Sequence, residues 1–412
     1  MKRYEKYKDS GVEWIGEIPE GWEVQKGQSL FNIAKEVISK GQLDNFFVYH
    51  YSIPSVQNTN DAYYEDGKGI DSDKFTVFGD ELLYSKLNPR KETVVITKKR
   101  NALQVCSTEF LVIKPLKFNL KFAFHLFKSH FLKEEICSTV QSATKSHQRA
   151  NPGEIHRMYY PLPPLSEQTI IADYLDQKTS QIDNLIEGKK RLMELLQEER
   201  TAIINQAVTK GLDPNVKFKD SGIDWLGEIP EGWEVKKLRY LSKIYTGSKN
   251  TEDRVENGEY PFFVRSQTVE HINTYSFDGE AILTAGDGVG VGKVFHYHNG
   301  KFDFHQRVYA IVQISEIYGS LLFHYISNCL SKELYRWNAK STVDSLRLPL
   351  FQNFPVAFSQ SPSEQKKISD FIQKETARIR RVSEAINHEI ELLQEYRNAL
   401  ISEVVTGKVK VV

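Results

Sequence analysis

The chain has 412 residues, a length that favours two folded domains with connecting segments over one compact core. Hydrophobic residues make up 40% of it and aromatic residues 12%, which excludes a disordered chain. Lysine plus arginine and aspartate plus glutamate each number 54, which excludes a uniformly basic nucleic-acid binder and confines any DNA contact to a local patch.

The start of the chain, MKRYEKYKDSG, lacks an apolar signal region. No stretch reaches the roughly 18 apolar residues that a membrane span needs. We therefore expect a soluble, cytoplasmic protein with no membrane partner. Cys106, Cys137 and Cys329 are few and widely separated, so they predict core residues and neither disulfides nor a cysteine-based metal site.

A duplicated segment is the strongest signal in the sequence. Residues 7–24 and 218–235 are identical at 14 of 18 positions, and each copy places two tryptophans around a GEIPEG turn. We interpret each copy as a clasp whose tryptophans pack on the domain that follows and whose turn fixes its angle. Docking of a partner subunit is the alternative. The C-terminal VVTGKVKVV resembles the segment before the second copy, which predicts that the chain ends beside its own beginning.

The first variable domain follows the first copy. TVVITKK and EFLVIKP predict strands, residues 119–140 predict a helix, and the polar SATKSHQRANPGE predicts a loop. Cationic and amide side chains concentrate on a turn and on this loop. Because Arg and Lys suit guanine edges and phosphates while Asn and Gln suit adenine, they are candidates for DNA contact. They are Lys86, Asn88, Arg90, Lys91, Thr144, Lys145, His147, Gln148 and Arg149.

A long helix follows, with Ser166 at its predicted N-cap and Gly211 at its end. It spans about 40 residues, or about 60 Å. Steps of three and four residues mark one apolar seam, interrupted by charge, which predicts a paired helix. Its members are Ile171, Leu175, Ile182, Leu185, Leu192, Leu196 and Ile203.

The second variable domain is again of mixed structure. AILTA and RVYAIVQI predict strands and residues 315–340 a helix, followed by the loop KSTVDSLRLP. Thr342 and Arg347 of this loop match Thr144 and Arg149 in spacing. The candidate DNA contacts of the second domain are Arg265, Gln267, Lys293, Arg307, Thr342 and Arg347. For any single candidate, a solvated loop charge is the alternative.

Enzyme and metal motifs are missing from the sequence. GDGVGVGKV has Asp287 where a phosphate loop needs Gly and Val294 where it needs Ser or Thr, so we predict a hairpin turn. His296, His298 and His305 lack a completing carboxylate or cysteine and predict no metal site. We accordingly predict no catalytic residues and no cofactor bound by this chain.

The second long helix begins near Ser363, the predicted N-cap, and ends at Gly407. Its seam consists of Ile368, Ile372, Ile379, Val382, Ile386, Leu393 and Leu400. We expect an α+β protein in which two globular domains are separated by two long antiparallel coiled-coil helices with pseudo-twofold symmetry. The predicted segments are 1–162 (first variable domain), 163–212 (central helix), 213–359 (second variable domain) and 360–412 (distal helix).

The order and duplication of these blocks identify a family resemblance. DSGVEWIGEIPEGWEV and its copy, LLYSKLNP, CSTEFLVIKP and YYPLPPLSEQTIIADYL resemble the specificity subunits of type I restriction-modification systems, which have two target-recognition domains, each followed by a long constant helix. The departure is AFSQSPSEQ, where the second domain-helix junction has lost most of its prolines.

This resemblance implies a non-catalytic subunit that reads an asymmetric bipartite sequence in double-stranded DNA, one domain for each half. The helices would act as a spacer ruler and as a scaffold for two methyltransferase subunits that use S-adenosylmethionine. Restriction and translocase subunits using ATP and Mg would join them. A coiled-coil adaptor that binds no DNA and a stand-alone DNA-modifying enzyme are the alternatives.

Overall fold

The computed structural model describes residues 2–140, 148–338 and 345–411. It divides into two compact units, of which the first comprises Met1–Lys189 with His388–Val412 and the second comprises Lys190–Asn387. Each unit thus combines one copy of the duplicated segment, one variable domain and parts of both long helices. These units cut across the four predicted segments, whose boundaries stay a prediction.

The first unit holds two sheets. One has the order β10-β9-β12-β4 and is antiparallel, and the other has the order β5-β8-β11-β6-β7 with β11 parallel to β6. Its strands are β1 (Tyr7–Asp9), β2 (Glu17–Pro19), β3 (Glu23–Lys26), β4 (Phe31–Ala34), β5 (Val37–Ile38), β6 (Phe47–Tyr51), β7 (Tyr63–Asp66), β8 (Lys74–Val77), β9 (Leu82–Ser85), β10 (Val94–Ile96), β11 (Gln104–Ser107), β12 (Phe110–Pro115) and β13 (Tyr159–Leu162). Its helices are α1 (Gly27–Leu30), α2 (Lys40–Leu43), α3 (Ile53–Thr59), α4 (Leu120–Phe127), α5 (His130–Ser138), α6 (Pro152–Arg157) and the first part of α7 (Leu165–Lys210).

The second unit holds one sheet of order β17-β22-β20-β21-β18-β19, in which β18 and β21 are parallel. Its strands are β14 (Phe218–Asp220), β15 (Glu228–Pro230), β16 (Trp233–Lys237), β17 (Lys243–Thr246), β18 (Tyr260–Phe263), β19 (Glu270–Ile272), β20 (Phe277–Ala285), β21 (Phe295–Phe304), β22 (Val308–Val312) and β23 (Pro355–Ser359). Its helices are α8 (Leu238–Leu241), α9 (Gly319–Asn338), α10 (Leu348–Gln352) and the first part of α11 (Pro362–Val405).

The predicted strands of the variable domains all form, as β10, β12, β20 and β22. The predicted helix over residues 119–140 is two helices, α4 and α5. It breaks because the hydroxyl of Ser129 accepts the N–H of Leu132 and caps α5 as a new helix. The predicted helix over residues 315–340 begins later than expected, at Gly319.

Both clasps pack on their own units. Trp22 and Trp233 are only 1% and 2% exposed. Trp14 meets Tyr160 edge to face at 6.4 Å. In the second unit, Trp225 stacks on Phe354 at 6.2 Å. The clasp interpretation of the tryptophans agrees with these contacts.

The C-terminal residues lie beside the N-terminal residues in the first unit, as predicted. Gly407 ends α11 in a left-handed conformation with φ +76°. The N–H of Lys410 then donates to the carbonyl of Lys2 at 2.9 Å, and the hydroxyl of Tyr7 donates to the carbonyl of Lys408 at 3.3 Å. Gly211, also at φ +76°, follows the last residue of α7 in the second unit.

The two N-cap predictions for the long helices are wrong by two residues, since the N-cap positions are Pro164 and Ser361. The helices begin at Leu165 and Pro362, so Ser166 and Ser363 lie inside the first turn. A proline suits this early position because its missing N–H would lack a helical partner there anyway. The carbonyl of Ser361 accepts the N–H of Gln365 at 3.0 Å.

In the first unit the helix segments pair antiparallel. Lys189 forms an ion pair with Glu389, and Asp183 forms one with Arg397 at 2.8 Å. The residue numbers in contact thus rise along α11 as they fall along α7. The predicted seam residues Ile171, Leu175, Ile182 and Leu400 are buried and Leu393 is half-buried.

The prediction for Leu185 is wrong, because its side chain is 49% exposed and Ile186 is buried instead. The seam steps from Leu175 to Thr179, whose hydroxyl donates to the carbonyl of Leu175 at 2.7 Å and so tolerates burial. The error arises after Ile182, where the seam takes a step of four residues to Ile186 and the sequence count took a step of three to Leu185.

The second unit shows the same antiparallel pairing, with Arg378 of α11 2.7 Å from Glu199 of α7. The predicted seam residues Leu196, Ile368, Ile372, Ile379 and Ile386 are buried and Ile203 is half-buried.

Two predictions in this stretch are wrong. Leu192 is 44% exposed and Val382 is 39% exposed. The half-buried Met193 and Ser383 lie one position further along, where the shifted register places the seam. Thr376 on α11 is half-buried and resembles Thr179 on α7, because its hydroxyl donates to the carbonyl of Ile372 at 2.7 Å.

Candidate nucleic-acid interface

The structure brings two predicted loops of the first unit together. The N–H of Asn88 donates to the carbonyl of Gln148 at 2.8 Å, and the N–H of Ala150 donates to the carbonyl of Lys86 at 2.9 Å. Leu87 and Arg149 therefore face each other as an isolated antiparallel bridge. We call residues 86–91 and 148–150 the first loop cluster.

The turn of the first loop cluster is held in an unusual backbone shape. Asn88 adopts a left-handed conformation with φ 51°, which asparagine tolerates better than most residues, and precedes the short helix Pro89–Lys91. Arg90 and Lys91 are exposed. Burial lowers the pKa of the half-buried Lys86. The exposed cations are therefore the ones placed for contact with a polyanion.

Arg149 is exposed but engaged. Its Nε and Nη2 donate to the two carboxylate oxygens of Glu109 at 3.1 and 3.0 Å. This two-point geometry fixes the guanidinium plane. An open pocket of about 490 Å³ adjoins the pair and is lined in part by Gln57, Asn88, Lys91 and Glu109.

The second unit builds a corresponding cluster. The N–H of Leu346 donates to the carbonyl of Gly286 at 2.9 Å, and Asp287 faces Ser345 as an isolated antiparallel bridge. The hydroxyl of Tyr309 adds a bond to the carbonyl of Leu346 at 3.0 Å. We call residues 286–293 and 345–347, together with Arg265, Gln267 and Arg307 whose side chains bond to them, the second loop cluster. The predicted hairpin turn is present, since residues 286–294 connect the antiparallel strands β20 and β21.

Asp287 organises the charges of the second cluster. Its Oδ1 accepts from Nη1 of Arg265 at 2.9 Å, and its Oδ2 accepts from Nη1 of Arg307. Burial alone raises the pKa of Asp287, but the hydrogen bonds from the two arginines outweigh it and leave that pKa below its usual value. Both arginines are exposed, so the carboxylate presents two cations to solvent.

The other predicted residues of the second cluster are also exposed. The side-chain amide of Gln267 donates to the carbonyl of Lys293 at 2.9 Å, which ties the loop after β18 to the turn. Arg347 stands at the N-cap position of α10. Thr144, Lys145, His147 and Thr342 lie outside the described residues, so their prediction stays as it was made.

The spacing match between Arg149 and Arg347 is not a structural equivalence. The bridge Leu87 with Arg149 corresponds to Asp287 with Ser345, so Ser345 takes the place of Arg149. Arg347 corresponds instead to Asn151, since the two cap α10 and α6 respectively. Equal spacing in the sequence therefore did not identify the residues that occupy equivalent backbone positions.

Sequence reasoning missed Glu109 and Asp287, the carboxylates that hold the exposed arginines. A search for basic and amide residues passes over acidic ones. Asp287 is the one acidic residue in GDGVGVGKV, whose other residues are Gly, Val and Lys. An isolated acid in such a turn is the sequence feature that could have identified it.

The histidines of the second unit serve structural roles. His296 bonds through Nε2 to the carbonyl of Ser266 at 2.9 Å, and His298 packs between Phe263 and Phe302. Within residues 2–140, 148–338 and 345–411, no group of three or more His, Cys, Asp or Glu side chains is placed to hold a metal ion. In the same ranges, no helix is long and apolar enough to cross a membrane.

Comparison with known proteins finds one family model, described as the type I restriction modification DNA specificity domain, which matches residues 19–195 and 230–392. A putative type I restriction enzyme specificity subunit, MjaX of Methanocaldococcus jannaschii, is 27% identical over 60% of this chain and 59% of its own length. The EcoDI specificity subunit of Escherichia coli is 27% identical over 44% of this chain and 40% of its own. The chain thus spans less than two thirds of the length of these relatives.

Two solved structures share the fold. A chain from a study of complex assembly and conformational transition of the type I R-M system superposes with a TM-score of 0.76 at 16% identity, covering 95% of this chain and 99% of that one. The HsdS subunit from Thermoanaerobacter tengcongensis gives a TM-score of 0.56 at 15% identity, covering 95% and 98%.

Proposed function

We propose that this chain, which belongs to the type I restriction-modification DNA specificity family, is the sequence-reading subunit of such a system. It binds an asymmetric two-part sequence in double-stranded DNA, and each loop cluster reads one half. The chain is not itself an enzyme, and membership of the family favours neither the adaptor nor the stand-alone enzyme.

One observation carries the assignment of reading to the loops. Each unit joins the turn after a central strand, β9 or β20, to the loop before a short helix, α6 or α10, through backbone hydrogen bonds at corresponding places. The side chains displayed there differ between the units. A shared backbone framework with different exposed cations is what two unlike half-sites require.

We further propose two methyltransferase subunits as partners, with S-adenosylmethionine bound by them and ATP with Mg bound by restriction subunits. The long helices support a scaffold role, because Leu185, Leu192 and Val382 are apolar yet exposed outside the seam. These side chains offer a surface on which a partner helix can pack.

The ruler role belongs to the same proposal. α7 and α11 each contribute residues to both units. Matched insertions of about one turn near Leu185 and Val382 should lengthen the spacer of the target and leave both half-sites unchanged. A methylation map with an unchanged spacer would contradict the ruler role.

Mapping methyladenine in DNA from cells that express this chain with its methyltransferase partner tests the function. We expect one gapped, two-part motif that disappears when this chain is omitted. Methylation or cleavage by the purified chain alone would favour the stand-alone enzyme. Failure to bind any DNA in the presence of the partner would favour the adaptor.

A further inference from the structure

Two arginines of the second loop cluster share one carboxylate. Arg265 leaves β18 and Arg307 precedes β22, yet both reach Asp287 in the turn after β20. The side chain of Asp287 is 23% exposed, against 43% for Arg265 and 59% for Arg307. The carboxylate is therefore the inner member of the group, and the guanidinium groups are the outer members.

Each arginine uses only one nitrogen to reach Asp287. Both contacts run through Nη1, and among the described residues no other side chain forms a hydrogen bond or an ion pair with either guanidinium. Nε and Nη2 of each arginine therefore remain free to donate in parallel. This edge is the fork that binds two acceptors side by side.

Among the bases, guanine offers the matching pair of acceptors. Its N7 and O6 lie side by side on the major-groove edge, and an arginine fork bonded to both is the commonest specific contact between proteins and DNA. A free arginine loses side-chain entropy when it makes this contact. An arginine already held by Asp287 loses less entropy, so its contact with a pair of acceptors costs less free energy.

The first loop cluster presents a different arginine edge. Arg149 spends Nε and one hydrogen of Nη2 on Glu109, at 3.1 and 3.0 Å, so its Nε/Nη2 edge is occupied. Nη1 and the second hydrogen of Nη2 remain as its end-on pair of donors. Arg149 is thus held like the other arginines but offers the end-on edge, whereas Arg265 and Arg307 offer the Nε/Nη2 edge.

We propose that Arg265 and Arg307 read guanine in the half-site bound by the second unit, and that Asp287 is the positioning residue that orients both. This inference rests on the proposed function. It adds the base class, the residues that read it, and a difference between the two units: readout through the Nε/Nη2 edge belongs to the second unit, because Glu109 occupies that edge of Arg149.

The first test uses the wild-type chain with its methyltransferase partner and synthetic duplexes carrying the mapped motif. Guanines are replaced one at a time by 7-deazaguanine, which removes N7 and keeps the base pair. We expect about tenfold weaker binding at one or more guanines of one half-site. Arg265→Ala and Arg307→Ala should each abolish the response at one such guanine. If every guanine response in the motif survives in both variants, the proposal is overturned.

The second test uses Asp287→Asn, which keeps the shape and removes the charge. Discrimination between the target and a duplex with the guanine pair replaced should fall about tenfold. Binding to unrelated DNA should rise, because a negative charge beside the phosphates has gone. Equal losses for target and unrelated DNA would mean that Asp287 only supports the fold, and would overturn its positioning role.

Glu109→Gln is the matched control in the first unit. It should alter recognition of the other half-site and leave the 7-deazaguanine response of the second unit unchanged. A gapped motif without guanine in the half-site that responds to Arg265→Ala would refute this inference and leave the proposed function intact. The absence of any gapped motif would refute the proposed function itself.

Discussion

In the first unit Leu87 lies opposite Arg149, and in the second Asp287 lies opposite Ser345. The backbone bonds around these positions correspond, yet the acid lies in the turn between β11 and β12 in one unit and in the turn after β20 in the other. Duplication has thus preserved hydrogen bonds that place the loops, while the charged side chains have changed position. Substitutions at matched places in the two units test how far this division holds.

The tryptophans of the clasps should show the largest effects. Trp22→Ala and Trp233→Ala each empty a fully buried site and should cost about 3 to 5 kcal/mol of unfolding free energy. The phenylalanine variants separate the units. Nε1 of Trp233 donates to Glu364 at 3.1 Å, whereas Nε1 of Trp22 is buried with no partner among the described residues.

Trp233→Phe should therefore cost about 1 kcal/mol more than Trp22→Phe, because it removes the donor to Oε1 of Glu364, while the hydroxyl of Ser359 still donates to Oε2. Urea unfolding of the full chain, followed by tryptophan fluorescence, measures both. Equal costs for the two phenylalanine variants would show that the bond to Glu364 contributes nothing net.

The glycines that end the long helices should show the next largest contrast. Gly407 and Gly211 have the same φ of +76°, so alanine at either position costs about 1 to 2 kcal/mol of backbone strain. A Cβ at Gly407 would also lie 2.4 Å from Pro19, whereas a Cβ at Gly211 meets nothing closer than 3.4 Å.

Gly407→Ala should accordingly destabilise the first unit by about 2 to 4 kcal/mol in total, and Gly211→Ala should cost no more than the strain. Thermal unfolding of the two variants, with the wild type as reference, gives the ranking. If Gly211→Ala were the more destabilising variant, the contact with Pro19 would contribute nothing to the free energy of unfolding.

Acid should affect the units in different pH ranges. Burial and then Arg200 lower the pKa of His324 from 6.5 to about 4. Below about pH 6.5, His324 binds a proton in the unfolded state but stays neutral in the folded state. The free energy of unfolding therefore falls as the pH drops from about 6.5 towards 4. In the first unit, Asp176 has a pKa lowered to about 2. The main cause is its hydrogen bond with His125 at 2.7 Å, and a smaller contribution comes from Lys121.

The stability that Asp176 contributes is present above about pH 4 and is lost as the pH falls through about 2. Between pH 7 and pH 5 the wild type should lose about 2 kcal/mol through His324. His324→Gln should remove that slope, and Asp176→Asn should leave it unchanged. Urea unfolding at both pH values measures the difference, and an unaltered slope in His324→Gln would assign it to another group.

Much of this architecture was predictable because its signals are repeated. The two copies of the clasp, the glycines at the helix ends and the apolar steps in α7 and α11 each occur twice. The helix seam was nevertheless misplaced at Leu185, Leu192 and Val382, since at each of these places the seam takes a step of four residues where the count took a step of three. On α7 apolar residues occur at both steps, and on α11 the seam position is Ser383, so a count of apolar residues does not identify the step.

The candidate site was predictable in its location and not in its chemistry. The turn at Lys86 and the loop at Arg149 were identified separately, and their pairing depends on backbone hydrogen bonds between residues about 60 positions apart. The roles of Glu109 and Asp287 depend on where strands β11, β12 and β20 place their ends, which no spacing in the sequence encodes.

The assignment of one loop cluster to one half-site is the central claim, and paired methylation maps test it most directly. Arg90→Ala with Gln148→Ala alters the first cluster, and Arg265→Ala with Arg307→Ala alters the second. Each pair should relax the bases of one half of the motif, and the two pairs should relax different halves. Relaxation of the same half by both pairs, or of both halves by either pair, would contradict the claim.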